Sequence, residues 1–283
     1  MPRDPGKTNV CFIFSGETRE YNRAELFKGH KWLADQLKSR HNYHVDFIGH
    51  TWDHCDTPLN FRMFKHYKKE NQEIIDEWVL TNPFVRGWWA QQHHVFQKFV
   101  EDNWGKDHAI FNKIIQNSRS AYGQIFSFFN CIEQVKNAEK YDVYFKTRWD
   151  ISIKKLEGLI DYFPYVASRK DERFNMFDGK GWCTFGYDNS DPNTKVETFI
   201  NDTNFLMSMN AFKEYQNLDY QKQLHTILEN TRNKDAKPSS HTLWTLMHPK
   251  GITGRFAIAG DCYSIYRTPG QQEEKEEKNR WAI

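Results

Sequence analysis

The chain has 283 residues, enough for one α/β domain with insertions, and its 39 basic and 37 acidic residues nearly cancel to a formal charge of +2. That balance excludes a broad polyanion-binding surface, so no nucleic-acid partner is expected and any phosphate-binding site is local. Hydrophobic residues make up 39% and aromatic residues 16%, so rings must supply much of the core, and no stretch approaches the roughly 20 apolar residues of a membrane span.

Asn9 to Phe14 is a continuous apolar run that ends in Ser15-Gly16, the pattern of a buried parallel strand opening into a loop. Ala24, Phe27, Leu33 and Leu37 recur at roughly helical spacing, and Tyr43 to Ile48 returns to strand character, which completes a βαβ unit. Residues 61–116 are rich in Trp, Phe, His and Lys with helix-compatible spacing and few strand signals, and read as a helical insert. A helix capped by Asn117 or Ser118 then carries Tyr122, Ile125, Phe126, Phe129, Ile132 and Val135 on its apolar face. It leads into Val143 to Trp149, the predicted central strand.

Past Asp150 the pattern predicts a loop-rich stretch with Gly179, Gly181 and Gly186, an apolar segment at Phe205 to Met209 and one helix from about Ala211 to Asn230. A short helix from Ser239 or Ser240 through Met247 and a last strand at Phe256 to Ile258 follow. Residues 271–283 form a charged tail. The expected fold class is α/β and Rossmann-like, one domain over 1–270 with a mostly parallel central sheet. Five cysteines, Cys11, Cys55, Cys131, Cys183 and Cys262, form no CxxC pair and point to neither a disulfide framework nor a zinc ribbon. With an N-terminus lacking an apolar signal core, they suggest a cytoplasmic protein.

If Asp142 to Asp150 is extended, alternation sends Val143, Phe145, Thr147 and Trp149 to one face and Tyr144, Lys146, Arg148 and Asp150 to the other. A central strand is covered on both faces, so those charges must pair with one another or with a ligand. The carboxyl end of such a strand is where open α/β sheets bind ligands. Asp150 there either holds a hard divalent cation that bridges two phosphates, or closes a salt bridge with Arg148 or Lys146. At the first strand, Ser15-Gly16-Glu17-Thr18-Arg19 offers a backbone free of bulk, a hydroxyl and a guanidinium suited to phosphate. His50-Thr-Trp-Asp-His-Cys55 is rich in metal-ligand types, but adjacent ligands on a short loop seldom span a tetrahedron, so no zinc is assigned there.

Phe12-Ile-Phe-Ser-Gly-Glu-Thr-Arg19, Val45-Asp-Phe-Ile-Gly-His-Thr-Trp52 and Tyr141-Asp-Val-Tyr-Phe-Lys-Thr-Arg-Trp-Asp150 resemble three signatures of bacterial and large-phage GT-A-like glycosyltransferases. In that group an Arg-x-Asp stands in place of the usual Asp-x-Asp. The resemblance covers most of residues 9–150 and implies a nucleotide-binding half there, with 151–270 as the acceptor half. It implies nucleotide and diphosphate contacts from Ser15, Gly16, Glu17 and Arg19, a polar contact from Gln124, and metal or diphosphate contact through Arg148 and Asp150. Lys146 would touch a phosphate or the donor sugar.

In the second half, Asn201-Asp202-Thr-Asn-Phe-Leu-Met-Ser208 is similar to the acidic segment that faces the transferred sugar, which makes Asp202 the candidate base. His241 stands where the group carries a Glu at a helix start, and a helix N-terminus lowers the pKa of an imidazole. His248 and Asp261 are further candidates to complete a metal site. The implied function is transfer of a sugar from a UDP- or GDP-sugar donor to a carbohydrate or related acceptor, assisted by Mn²⁺ or Mg²⁺. The alternative is a non-catalytic glycan- or protein-binding module on a degenerate version of the same fold.

Overall fold

Asn9–Ser15 (β1) is buried at every position, which is why it reads as an unbroken apolar run: the strand has no solvent face. The computed structural model describes residues 6–16, 23–52, 83–91, 98, 101–102, 122–149, 151–153, 157–178, 204–231, 240–258 and 263–265. After β1 come α1 (Arg23–His41), β2 (His44–Trp52), β3 (Val85–Gln91), α2 (Tyr122–Glu133), β4 (Val143–Arg148), β5 (Ile151–Ile153) and α3 (Glu157–Ala167). The second half adds β6 (Phe174–Asp178), β7 (Phe205–Ser208), α4 (Met209–Gln216), α5 (Tyr220–Thr231), α6 (Ser240–Leu246), β8 (Thr253–Ile258) and β9 (Tyr263–Ile265).

One sheet has seven strands in the order β3-β2-β1-β4-β7-β6-β8, and β5 pairs with β9 in a separate antiparallel ribbon. Within the large sheet only β7 runs against its neighbours. The chain therefore adopts the expected α/β class with a mostly parallel sheet, and β4 lies at its centre. Because β7 is antiparallel, its first residue Phe205 pairs with Lys146 near the end of β4. The carboxyl ends of β1, β2 and β4 and the start of β7 thus share one edge.

Each face of the sheet carries its own apolar cluster. Cys11, Ile13, Tyr144, Phe205 and Met207 pack against Phe128 and Phe129 of α2, Phe212 of α4, Leu224 of α5 and Trp244 of α6. Val10, Phe12, Phe14, Phe47, Val143, Phe145 and Trp149 pack on the other face against Leu33 and Leu37 of α1 and Phe163 of α3. The alternation expected along β4 is the one observed. Rings do supply the core: Tyr144 stacks on Phe212 at 3.5 Å, Phe129 on Tyr220 at 4.6 Å and Phe12 on Phe47 at 4.8 Å between centroids.

Three stretches depart from the sequence-based expectation. Val85–Gln91 falls inside the 61–116 stretch that reads as helical and instead forms a strand parallel to β2. Arg86 and Gly87 spoil any local alternation, but β2 offers a row of backbone donors and acceptors, and pairing with it satisfies both strands. Apart from 83–91, 98 and 101–102, the insert lies outside the described residues, as does the tail 271–283.

The single helix expected from Ala211 to Asn230 is two. The Asn217 N–H turns back to Lys213 O at 2.9 Å to end α4, and Asp219 Oδ1 accepts the Lys222 N–H at 3.0 Å to start α5. The stretch after Asp150 that reads as loop contains α3 and β6. Leu159, Ile160, Phe163 and Val166 form a buried helical stripe there, which Pro164 in its midst obscures.

Candidate functional site

The strand order sets a switch point between β1 and β4. The helix leaving β1, α1, covers one face, whereas α2, which leads into β4, covers the other. The two connections diverge and leave a crevice at the carboxyl ends of these strands, where open α/β sheets take their ligands.

Ser15 and Arg148 are register partners at that point. Parallel partners project to the same face, and the pairs Cys11–Tyr144 and Ile13–Lys146 behind them place that face under α2. Ser15 is 1% exposed, and its Oγ has no hydrogen-bond partner among the described residues. Arg148 is 8% exposed, so this charged residue is nearly covered at the edge of the sheet.

Gly16 follows with φ of +97°, a left-handed conformation that a side chain opposes. Its N–H donates to Ser127 Oγ at 2.7 Å, and a Cβ on it would stand 3.6 Å from Gln124 Cγ. The first turns of α2 therefore lie against the start of the β1 loop. Gln124 is 8% exposed with Oε1 unpartnered among the described residues, and it shares a helix face with Ser127 three positions on.

The end of β4 is seated by β2. A Cβ on Gly49 would come within 2.5 Å of Trp149 Cζ2, so only glycine leaves room for the indole there. The indole Nε1 donates to His50 O at 2.8 Å, and His50 Nδ1 lies 2.7 Å from Ser127 Oγ. His50 is thus engaged in the buried framework, and Asp53, His54 and Cys55 of the His50–Cys55 segment lie outside the described residues.

Lys146 sits one pleat behind Arg148 and is 0% exposed. Its ammonium lies 4.7 Å from the Trp244 ring and 5.6 Å from Phe205, both of which offer a negative π face to the cation. Asn204, just before β7, is buried at the same edge with Oδ1 unpartnered among the described residues.

Of the residues expected at the site, the fold gathers Ser15, Gly16, Gln124 and Arg148, with Lys146 beneath them. Glu17, Arg19, Asp150 and Asp202 lie outside the described residues. His241 is in the first turn of α6, three positions before the Trp244 that packs on Lys146, and its side chain lies outside the described residues. His248 Nδ1 lies 2.6 Å from Tyr215 OH. Burial pushes its pKa down to about 4, a backbone hydrogen bond with Ile252 acting the other way. Asp261 lies outside the described residues.

Sequence reasoning missed Ser127, His50 as its partner, and Asn204. Ser127 had a signal, a small polar residue amid Ile125, Phe126, Phe128 and Phe129, whose burial demands a hydrogen bond. Among the described residues no three His, Cys, Asp or Glu side chains are grouped as metal ligands, and no helix is long and apolar enough to cross a membrane.

Fold and crevice together define an open α/β sheet with helices on both faces and a polar edge at its switch point. No protein-family model matches the chain, and no curated protein sequence does. Among solved structures it is similar to the galactosyltransferase LgtC in complex with donor and acceptor sugar analogs, at 9% identity and a TM-score of 0.45, over 87% of this chain and 73% of that one. Mouse xyloside xylosyltransferase 1 in its apo form matches at 10% identity and a TM-score of 0.41, over 85% and 81% of the two chains. The apo-form glycosyltransferase GlyE of Streptococcus pneumoniae TIGR4 matches at 12% identity and 0.38, over 88% and 45%. At such identities and scores the likeness assigns no chemistry, which must come from the residues of the crevice.

Proposed function

We propose that the crevice binds a nucleotide-diphosphate sugar and that the chain is a GT-A-like glycosyltransferase moving that sugar to a carbohydrate or related acceptor. The observation that carries this reading is the convergence at the β1–β4 switch point of Gly16 with φ of +97°, the unpartnered oxygens of Ser15 and Gln124, and Arg148. A bare glycine lets a phosphate approach the backbone, and a guanidinium matches phosphate oxygens in bidentate fashion. Buried hydroxyl and carboxamide oxygens without partners among the described residues are suited to ribose hydroxyls or a base N–H. A UDP- or GDP-sugar supplies all of these groups.

As the bond from the anomeric carbon to the diphosphate oxygen breaks, negative charge gathers on the departing diphosphate, and Arg148 stabilises it from the end of β4. Glu17 and Arg19 extend the contacts along the β1 loop, and Lys146 adds positive potential beneath. Asp202, two positions before Asn204, is the group that takes the acceptor's hydroxyl proton, with His241 as the second candidate. The halves 9–150 and 151–270 then divide donor from acceptor. Asp150 would hold Mn²⁺ or Mg²⁺, which neutralises charge on the leaving group. The described neighbours, one guanidinium and neutral oxygens, suit a phosphate and would hold no metal by themselves.

Thermal stabilisation by UDP, GDP and CDP, each with and without Mn²⁺, tests this on the wild type, Arg148→Met and Asp150→Ala. One nucleotide should stabilise the wild type, Arg148→Met should lose most of that effect, and Asp150→Ala should lose its metal-dependent part. The wild type should also hydrolyse or transfer from the matching nucleotide sugar. Absence of stabilisation by every nucleotide overturns the reading, and stabilisation without turnover makes the chain a binding module.

A further inference from the structure

We infer that Ser127 and His50 are positioning residues that fix Gly16 where β1 opens toward the nucleotide, a role that rests on the nucleotide reading above. The Ser127 hydroxyl meets three groups at once. The Gly16 N–H donates to it at 2.7 Å, His50 Nδ1 lies 2.7 Å away, and the hydroxyl itself donates to His50 O at 3.3 Å. A hydroxyl has one proton and two lone pairs. All three contacts are satisfied together only if the proton goes to the His50 carbonyl while Gly16 N–H and His50 Nδ1–H fill the lone pairs. Reading all three contacts as hydrogen bonds assigns a proton to Nδ1 of His50.

The same carbonyl also accepts the Trp149 Nε1–H at 2.8 Å. One buried node thus ties down three strand ends at the crevice: Gly16 just after β1, His50 near the end of β2 and Trp149 just after β4. Ser127 and His50 are fully buried, and Ser127 stands in sequence among the buried Ile125, Phe126, Phe128 and Phe129. A hydroxyl there costs stability unless bonded, and the donor it takes is the amide of the one residue that turns left-handed to open the loop. Gly16 is therefore held from within the protein, and the loop starts from a fixed point.

Three variants separate positioning from packing: Ser127→Ala, His50→Gln and His50→Asn. An Asn amide places an N–H where Nδ1 stood, whereas a Gln amide reaches the Nε2 position. Ser127→Ala and His50→Gln should raise the Kd for UDP or GDP with Mn²⁺ about tenfold. His50→Asn should stay within about threefold of wild type, with all three variants folded by thermal melting. Independently of nucleotide, the Gly16 amide should exchange with solvent about tenfold faster in Ser127→Ala, and ¹⁵N shifts of the wild type should show the His50 proton on Nδ1. Equal affinity loss in His50→Asn and His50→Gln, unchanged Gly16 exchange, or a His50 proton on Nε2 alone overturns the inference. The ¹⁵N measurement needs no variant to fold. If no nucleotide binds the wild type, the functional reading fails and the positioning role with it, while Gly16 exchange and the His50 proton still report whether the node exists.

Discussion

Ser15 and Arg148, 133 positions apart in the chain, are register partners on β1 and β4 and face the same helical layer. Each is the last residue of its strand, so an apolar core beneath the sheet gives way to a hydroxyl and a guanidinium at its edge. A charged residue on a central strand is thereby confined to the strand's last position, where Arg148 is 8% exposed.

The oxygens of Ser15 and Gln124, unpartnered among the described residues, cost the free protein stability that a ligand would return. Ser15→Ala and Gln124→Met should therefore leave the stability of the ligand-free protein unchanged or raise it by up to about 1 kcal/mol in denaturant titration. Nucleotide affinity should fall by roughly 5- to 30-fold. Equal affinity in both variants would show that these atoms face no nucleotide.

Gly16→Ala forces a side chain into a left-handed backbone and should destabilise by about 1–2 kcal/mol. Gly158, in the first turn of α3, has open space around its missing Cβ. Gly158→Ala should stabilise by about 0.5–1 kcal/mol, and comparing the two melting temperatures separates backbone strain from a general glycine effect.

Gly49→Ala should cost about 1–3 kcal/mol because the new methyl overlaps Trp149. Trp149→Phe removes the atoms involved, so a double-mutant cycle measured by denaturation should recover about 1 kcal/mol or more of that loss. Strict additivity would mean the indole does not lie over Gly49.

His248 binds its proton less readily in the folded state, with a pKa of about 4 against an ordinary 6.5. The unfolded chain then holds more protons between those values, so stability rises with pH across the window. It is fully present above about pH 6.5, declines as the pH falls toward 4, and the loss is at most about 3 kcal/mol. Burial is the cause of the shift, and Tyr215 OH lies 2.6 Å from Nδ1. Stability curves of wild type and His248→Gln should converge toward low pH, and parallel curves would refute the assignment.

Local periodicity made much of the fold legible. β1, α1, β2, α2, β4, β7 and α6 appear in the sequence because an element that buries one or two faces must repeat apolar residues at its own period. The shared face of Lys146 and Arg148 follows from the same two-residue alternation. Ser15, Gly16 and Arg148 stand out as polar or glycine positions where apolar runs end.

Other features have no local period to betray them. β3 exists because β2 had an edge to pair, and β5 and β9, three residues each, exist only through one another. Ser127 and His50, 77 positions apart, meet only because α2 lies across β1 and β2. Gly49 is required only because Trp149 arrives over it. The sequence by itself determined which strands are buried, which faces they bury and where polar residues interrupt them, since those follow from short-range spacing. Tertiary structure alone decided the register of β1 on β4, the hydrogen bonds around Ser127 and the burial of the Ser15 and Gln124 oxygens without partners among the described residues, because each depends on atoms brought together from distant parts of the chain.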